Sequence, residues 1–174
     1  NFQGVIKYFG SGRKWDVNIT YAIQDQAGGI AEALGLAESF AGDNRIMVCL
    51  GDNLWNMDIS KIVDSFRTAP AGSAGLFIIK CKTPERFGVL KFNGDNPVDV
   101  IEKPQRFISD WAVAGVYLYG PEVFEVIKTL KPSARGELEI TDVNRFYIKA
   151  GKARIVKLTG WWSDCGTVET IMQT

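Results

Sequence analysis

The order of apolar patterns along the chain restricts the fold more than any other feature of the sequence. Runs of apolar residues with the length of a strand alternate with stripes of apolar residues at helical spacing. The strand-like runs are 17–21, 46–50, 76–79, 87–92, 98–101, 113–119 and 154–158, and the helical stripes are 30–40, 59–66, 123–130 and 140–147. Because the first strands alternate with helices, we expect an α/β fold whose sheet is mostly parallel and covered on both faces.

Two neighbouring strand-like runs modify this expectation. The runs 87–92 and 98–101 are separated by the segment NGDNP at 93–97, whose residues are typical of a hairpin turn. A hairpin within the sheet makes the sheet mixed. No linker rich in Pro, Gly or Ser divides the chain, so we expect a single domain over residues 1–174.

The composition narrows the possible partners. The 20 Lys and Arg residues balance the 20 Asp and Glu residues, so the net charge does not favour nucleic acid as a partner. No apolar run approaches the ~20 residues that a membrane-spanning helix needs. We therefore expect a soluble protein, and the three widely spaced cysteines fit the cytoplasm. Because the sequence has no histidine, its chemistry must use carboxylates, lysine, arginine or hard cations.

Two aspartates that follow strand-like segments are candidates for a metal site. The segment LGDN at 50–53 places Asp52 just beyond a very apolar strand, where ligands of open α/β sheets bind. The segment WWSDCGT at 161–167 places Asp164 in a similar position. Mg²⁺ prefers one or two carboxylates together with phosphate oxygens. The alternative is that Asp52 belongs to an Asx turn and that Asp164 caps the last helix.

A charged pair precedes a proline in the segment IEKP at 101–104. Because proline favours an extended conformation in the preceding residue, we expect Lys103 to be extended and to point outward at the end of a strand. A lysine there suits a phosphate group, and Glu102 suits sugar hydroxyls. The alternative is a solvated ion pair at the end of a hairpin.

Two further segments carry polar residues at the start of predicted helices. In KPSARGELEITDVN at 131–144, Arg135 and Glu137 can orient one another and a polar ligand, or the acidic residues simply complement a helix dipole. In QDQAGG at 24–29, Gly29 lets the backbone approach a base, and Gln24 offers both a donor and an acceptor to a base edge. The alternative for the second segment is a tight turn.

In this order along the chain, the motifs resemble the glucose-1-phosphate thymidylyltransferase family of sugar nucleotidyltransferases. The resemblance covers nearly the whole chain, and 131–144 is its most specific part. It implies a Rossmann-like fold in which the phosphate of glucose 1-phosphate attacks the α-phosphorus of dTTP with the help of Mg²⁺. The products would be dTDP-glucose and pyrophosphate. Such a transfer depends on positioning and charge neutralisation, so it does not require histidine.

The resemblance also implies roles for particular residues. Asp52 and Asp164 would be metal ligands, and Asp52 and Lys103 would take part in catalysis. Gln24 and Gly29 would contact the base. The sugar phosphate would be held by Glu102, Lys103, Gly115 and Arg135, with Glu137 nearby. Proteins of this family commonly form homo-oligomers, so we expect the same here.

The family pattern opens with a strand, a glycine-rich loop that carries an arginine, and a lysine–proline motif downstream of that loop, and this opening arrangement is not found in this sequence. We therefore expect an N-terminally incomplete domain, and a 174-residue chain that is inactive on its own. Normal pyrophosphate release from dTTP and glucose 1-phosphate would contradict this expectation. UTP remains an alternative to dTTP, since Gln24 can pair with either base. A non-catalytic relative and a metal-dependent glycosyltransferase also remain open, although a glycosyltransferase usually has Asp-x-Asp where this chain has GDN at 51–53.

Overall fold

The computed structural model describes residues 2–166. Within this range the helices are Phe2–Phe9 (α1), Ile30–Gly35 (α2), Glu38–Ala41 (α3), Ser60–Arg67 (α4), Val123–Thr129 (α5) and Ile140–Lys149 (α6). The strands are Ile46–Cys49 (β1), Asn53–Trp55 (β2), Ala74–Lys80 (β3), Gly88–Asn93 (β4), Asn96–Glu102 (β5), Trp111–Tyr119 (β6), Ala153–Lys157 (β7) and Trp162–Asp164 (β8). No described helix is both long and apolar enough to cross a membrane. The predicted α/β class is confirmed.

Six strands form one sheet in the order β5-β4-β6-β3-β7, and β1 also pairs with β6. The sheet is mixed, as predicted, and β4 and β5 form the predicted hairpin. Strands β1, β3, β4 and β7 run in one direction. Their pairing nevertheless corrects the expectation of a mostly parallel sheet, because the antiparallel β6 lies between them. Only β3 and β7 are parallel neighbours among the described strands.

The sheet is covered on both faces, as its sequence pattern predicts. Along β3, Leu76 and Ile78 enter a core formed with α2, α5 and α6, whereas Phe77 and Ile79 enter a second core beneath α4. This alternation follows from the period of two along a strand. Strand β6 is buried along nearly its whole length, which explains its almost continuous run of apolar residues.

Some elements differ from the sequence-based predictions. The predicted strand at 17–21 is irregular, and Val17 within it is 52% exposed. The predicted helix over 30–40 is divided into α2 and α3, and α2 ends at Gly35, a residue with low helix propensity. Strands β2 and β8 have three residues each, too few to produce a recognisable pattern of period two.

Strands β1 and β4 share one edge of β6, and this arrangement creates an opening in the sheet. Strand β1 lies opposite Val116 to Tyr119, whereas β4 meets β6 at Ala112. The carboxyl end of β1 therefore faces the amino end of β4 across residues 113–115 of β6. Ligands of open α/β sheets bind at such interruptions beyond the end of a strand.

A stack of tyrosines supports this region from inside the core. The ring centroids of Tyr117 and Tyr119 are 5.9 Å apart, and those of Tyr119 and Tyr147 are 5.7 Å apart. The Tyr119 hydroxyl donates to Oδ1 of Asn144. The buried Tyr147 hydroxyl has no hydrogen-bond partner among residues 2–166.

Because one hydroxyl is paired and the other is not, replacing each tyrosine with phenylalanine should have different effects on the free energy of unfolding. Tyr119→Phe should lower the free energy of unfolding by about 1 kcal/mol, because it leaves the buried Asn144 oxygen unpaired. Tyr147→Phe should be neutral or stabilising, because it removes an unpaired buried hydroxyl. Urea denaturation measures both effects, and the dependence of the unfolding free energy on urea concentration should stay the same in both variants. A larger loss for Tyr147→Phe would contradict this account.

Candidate active site

The opening between β1 and β4 is a cleft of about 280 Å³. Seven of the nine predicted site residues line this cleft: Asp52, Glu102, Lys103, Gly115, Arg135, Glu137 and Asp164. They come from segments that lie far apart in the sequence. The cleft therefore brings together most of the residues predicted from separate motifs.

Asp52 and Asp164 reach the same point at one wall of the cleft. Strands β2 and β8 pair with Asn53 opposite Asp164, and the N–H of Cys165 donates to the carbonyl of Asp52. A β-carbon placed on Gly166 would lie 3.0 Å from Oδ1 of Asp164 and 3.2 Å from Oδ2 of Asp52. The predicted convergence of the two carboxylates is thus present. Thr167 and the predicted last helix lie outside the described residues.

The pair of aspartates suits a hard cation that is completed by ligand oxygens. Within residues 2–166, no group of three or more His, Cys, Asp or Glu side chains forms a metal site. Mg²⁺, however, is commonly held by one or two carboxylates plus water and phosphate oxygens. The residues present therefore fit a Mg²⁺ ion that is shared with a phosphorylated ligand.

The amide of Asn53 lies behind Asp52 and is almost completely buried. Its Oδ1 accepts the N–H of Gly115 at 2.9 Å and the indole N–H of Trp162 at 2.8 Å. The carbonyl of Gly115 accepts the N–H of Leu50. The backbone of Gly115 is thus already hydrogen-bonded within the protein. A β-carbon there would lie 2.7 Å from the Asn53 amide, so glycine provides the space for this side chain.

Lys103 lies at the opposite wall, in a conformation that differs from the prediction. Its φ is +41°, so the prediction of an extended residue before Pro104 is wrong. The Lys103 N–H donates to the carbonyl of Phe87 at the end of the β4–β5 ladder. That bond fixes the lysine in a region that non-glycine residues rarely adopt, against the extended preference that the following proline imposes. Such strain is often found at functional sites.

Arg135 is surrounded by three glutamates. Its Nη2 lies 2.8 Å from Glu139, 3.4 Å from Glu137 and 3.7 Å from Glu102. Hydrogen bonding to Glu139 is the main reason that the Arg135 pKa is raised above its usual value. Glu139 also accepts the Ser133 hydroxyl, and it makes no capping hydrogen bond at the start of α6. Glu137 and Glu139 thus orient an arginine, whereas Asp142 lies in the first turn of α6, where a negative charge complements the helix dipole.

Gln24 and Gly29 lie together but do not line the cleft. The Gln24 amide donates to the carbonyl of Gly29 and to the carboxylate of Glu32. The neighbouring Gly28 carbonyl accepts the N–H of Leu138. The glycine pair therefore fastens α2 to the loop that carries Arg135 and Glu137. The predicted contact of Gln24 and Gly29 with a base remains a prediction.

Several residues that line the cleft were not predicted from the sequence. Tyr117 is 4% exposed, and its pKa is raised by burial and by the negative charges of Glu102 and Asp52. Phe87 and Trp162 meet edge to face with ring centroids 5.2 Å apart. Tyr117 lies within the apolar run of β6 and therefore looks like a core residue in the sequence, so no local pattern marks it as part of a site.

Comparison with known proteins places this architecture in a family. The family model for nucleotidyl transferases matches residues 1–174, and the chain belongs to that family. The glucose-1-phosphate thymidylyltransferase of Neisseria meningitidis is 40% identical over 168 residues, which cover 95% of this chain and 58% of that protein. The protein of the same name from Xanthomonas campestris is 38% identical over 175 residues, covering 98% of this chain and 58% of that protein.

Solved structures agree with this assignment. A Bacillus anthracis crystal structure named for a glucose-1-phosphate thymidylyltransferase, in complex with sucrose, matches with a TM-score of 0.91 at 44% identity. The match covers 98% of this chain and 69% of that one. A UDP-glucose pyrophosphorylase bound to UDP-glucose has a TM-score of 0.80 at 23% identity, which shows a common fold. The chain spans 58% of the length of the thymidylyltransferase relatives named above.

Proposed function

We propose that the protein forms dTDP-glucose and pyrophosphate from dTTP and glucose 1-phosphate. The observation that carries this proposal is the placement of the acidic pair Asp52 and Asp164 in one cleft with Lys103 and Arg135. A phosphate between these groups meets a cation site on one side and two positive side chains on the other. The thymidylyltransferase relatives support the choice of nucleotide and sugar.

Asp52 and Asp164 would hold Mg²⁺, which supplies charge neutralisation on the phosphate oxygens when it is bound. Lys103 would bind the phosphate of glucose 1-phosphate as a point charge. Arg135, already held by Glu139, would offer its remaining N–H groups to the same phosphate. Together these side chains would hold the attacking oxygen in line with the α-phosphorus, which is the main requirement of this reaction.

The sugar would lie on the floor of the cleft. Glu102 accepts the Thr141 hydroxyl and lies opposite Gly88 in the β4–β5 hairpin, so its carboxylate is fixed in place. It would accept a sugar hydroxyl, with Glu137 close by. The nearly buried Tyr117 hydroxyl would offer a second polar contact from β6.

Gln24 and Gly29 would contact the base at the start of α2, next to the cleft residue Ile30. Because Gln24 can pair with uracil as well as thymine, a uridylyltransferase is the second candidate. A shared fold with UDP-glucose pyrophosphorylase keeps this candidate open. Function in the cytoplasm as a homo-oligomer completes the proposal and is supported by the family resemblance.

Calorimetric binding of dTDP-glucose and UDP-glucose in the presence of Mg²⁺ tests the proposal. We expect dTDP-glucose to bind more tightly, and we expect Glu102→Gln to weaken its binding about tenfold, because a charged hydrogen-bond acceptor is lost. Glu125→Gln is the control, since that glutamate forms an exposed ion pair with Lys128. Tighter binding of UDP-glucose would favour the uridylyltransferase, and the absence of binding to either would contradict both.

A further inference from the structure

The orientation of the Asn53 side chain is determined by its hydrogen-bond partners. Its Oδ1 lies near two donors, the backbone N–H of Gly115 and the indole N–H of Trp162. Only an oxygen can accept from both of these groups, so the amide nitrogen must face the other way. In that direction Nδ2 donates to Oδ1 of Asp52 at 2.8 Å.

The hydrogen bond from Asn53 engages Oδ1 of Asp52, so the second oxygen, Oδ2, is the one directed toward Gly166 and Asp164. Oδ2 of Asp52 and Oδ1 of Asp164 are the two oxygens that approach the position next to Gly166. Oδ1 of Asp164 is itself oriented, because it accepts the N–H of Gly166 at 2.9 Å. Each carboxylate therefore has one hydrogen-bond donor that restricts its rotation.

The surrounding fold is arranged around this amide. Asn53 is the β2 residue paired with Asp164 of β8, and it is also bonded to β6 through Gly115. It therefore connects the segments that carry both aspartates to the central strand of the sheet. A methyl group at position 115 would occupy the space of the amide. A residue that served only to fill space would not need these three directional bonds.

We infer that Asn53 is a positioning residue for the divalent cation, because it holds Asp52 so that Oδ2 faces the position shared with Asp164. This inference rests on the proposed function, since it requires the metal site. A carboxylate on a free side chain rotates broadly about its last torsion. Hydrogen bonds that orient metal-binding carboxylates raise metal affinity, and their loss typically weakens binding by about 10–100-fold.

The test uses the 174-residue chain with Mn²⁺ alone as the probe. Electron paramagnetic resonance measures the concentration of free Mn²⁺, from which the dissociation constant follows. Asn53→Ala should raise the Mn²⁺ dissociation constant about tenfold or more. Asp52→Asn is the reference variant and should remove most of the binding. Asn56→Ala is the matched control, because this amide joins the same two strands through the N–H of Trp161 and lies away from the aspartates. The control should bind Mn²⁺ as the parent does.

The outcomes separate the inference from the proposed function. If Asp52→Asn loses Mn²⁺ while Asn53→Ala retains the parent affinity, the positioning role is wrong and the metal site stands. If neither variant changes Mn²⁺ binding, the proposed metal site is wrong as well. The unfolding midpoint is measured in parallel, because a purely structural role would lower the midpoint without changing the affinity of the folded chain.

A second measurement applies if Asn53→Ala does not fold. Nuclear magnetic resonance of the unsubstituted chain follows its side-chain amides during titration with Mg²⁺. The Asn53 amide should shift as the ion binds, because its partner Asp52 becomes a ligand, whereas the Asn44 and Asn56 amides should not. An unmoved Asn53 signal, with Mg²⁺ binding evident elsewhere in the spectrum, would overturn the inference.

Discussion

The Gly29→Ala variant is expected to lose about 3 kcal/mol of unfolding free energy, because it combines backbone strain with a steric clash. Gly29 has a φ of +98° and a ψ of 169°, a conformation that is accessible almost only to glycine. A β-carbon there would lie 2.4 Å from the carbonyl oxygen of Leu138 and 2.9 Å from its nitrogen. These are backbone atoms that cannot rotate away. Urea denaturation measures the loss.

Gly51→Ala is the matched control for this experiment. A β-carbon at position 51 would have no heavy atom within 4 Å, and the φ of Gly51 is not positive. We therefore expect the stability of this variant to equal that of the parent. If Gly29→Ala is as stable as Gly51→Ala, the close backbone contact between Gly29 and Leu138 does not require glycine, and this account of the connection to α2 is wrong. The binding of dTDP-glucose to the folded fraction of the Gly29→Ala variant is compared with its binding to the parent.

Replacing Arg135 with methionine is expected to weaken the binding of dTDP-glucose by about 10²-fold, since charged hydrogen bonds to a phosphate are lost. A second effect acts in the same direction. Glu102, Glu137 and Glu139 converge on this guanidinium, and without it their negative charges repel an anionic ligand. Calorimetry with dTDP-glucose measures the combined change.

Two further variants show whether the geometry of Arg135 is important. Arg135→Lys retains the charge but cannot form the paired bonds that Arg135 makes with Glu139, so it should recover only part of the affinity. Arg154→Met is the control, because Arg154 lies away from the cleft and donates to the Ser65 hydroxyl. Full affinity in Arg135→Met would exclude a phosphate contact at this position.

The elements that the sequence predicts well are those in which burial determines the pattern. Strands β3 and β6 are buried on both faces, so their apolar runs are nearly continuous. The sequence also predicts that Asp52 and Asp164 meet, because each follows a strand-like segment at the edge of the sheet. In both cases burial or position at a strand end selects the residue type at each position, so the local sequence contains the information.

The features that escape prediction depend on contacts between distant segments. The left-handed conformation of Lys103 is maintained by a hydrogen bond to Phe87, the residue just before the neighbouring strand β4. The importance of Asn53 arises from Gly115 and Trp162, which lie 62 and 109 residues away in the sequence. Local propensity contains no information about such partners, so only the folded structure reveals them.

The shared edge of β6 has a mechanical consequence for the cleft. Asp52 follows β1, and Lys103 follows β5, the hairpin partner of β4, while β1 and β4 both pair with the same central strand β6. The distance between these two groups therefore depends on the length of β6 that pairs with neither strand, residues 113–115. Bending β6 at residues 113–115 would therefore change the separation between Asp52 and Lys103. The conformation of these three residues of β6 thereby contributes to how closely Asp52 and Lys103 would approach a phosphate bound between them.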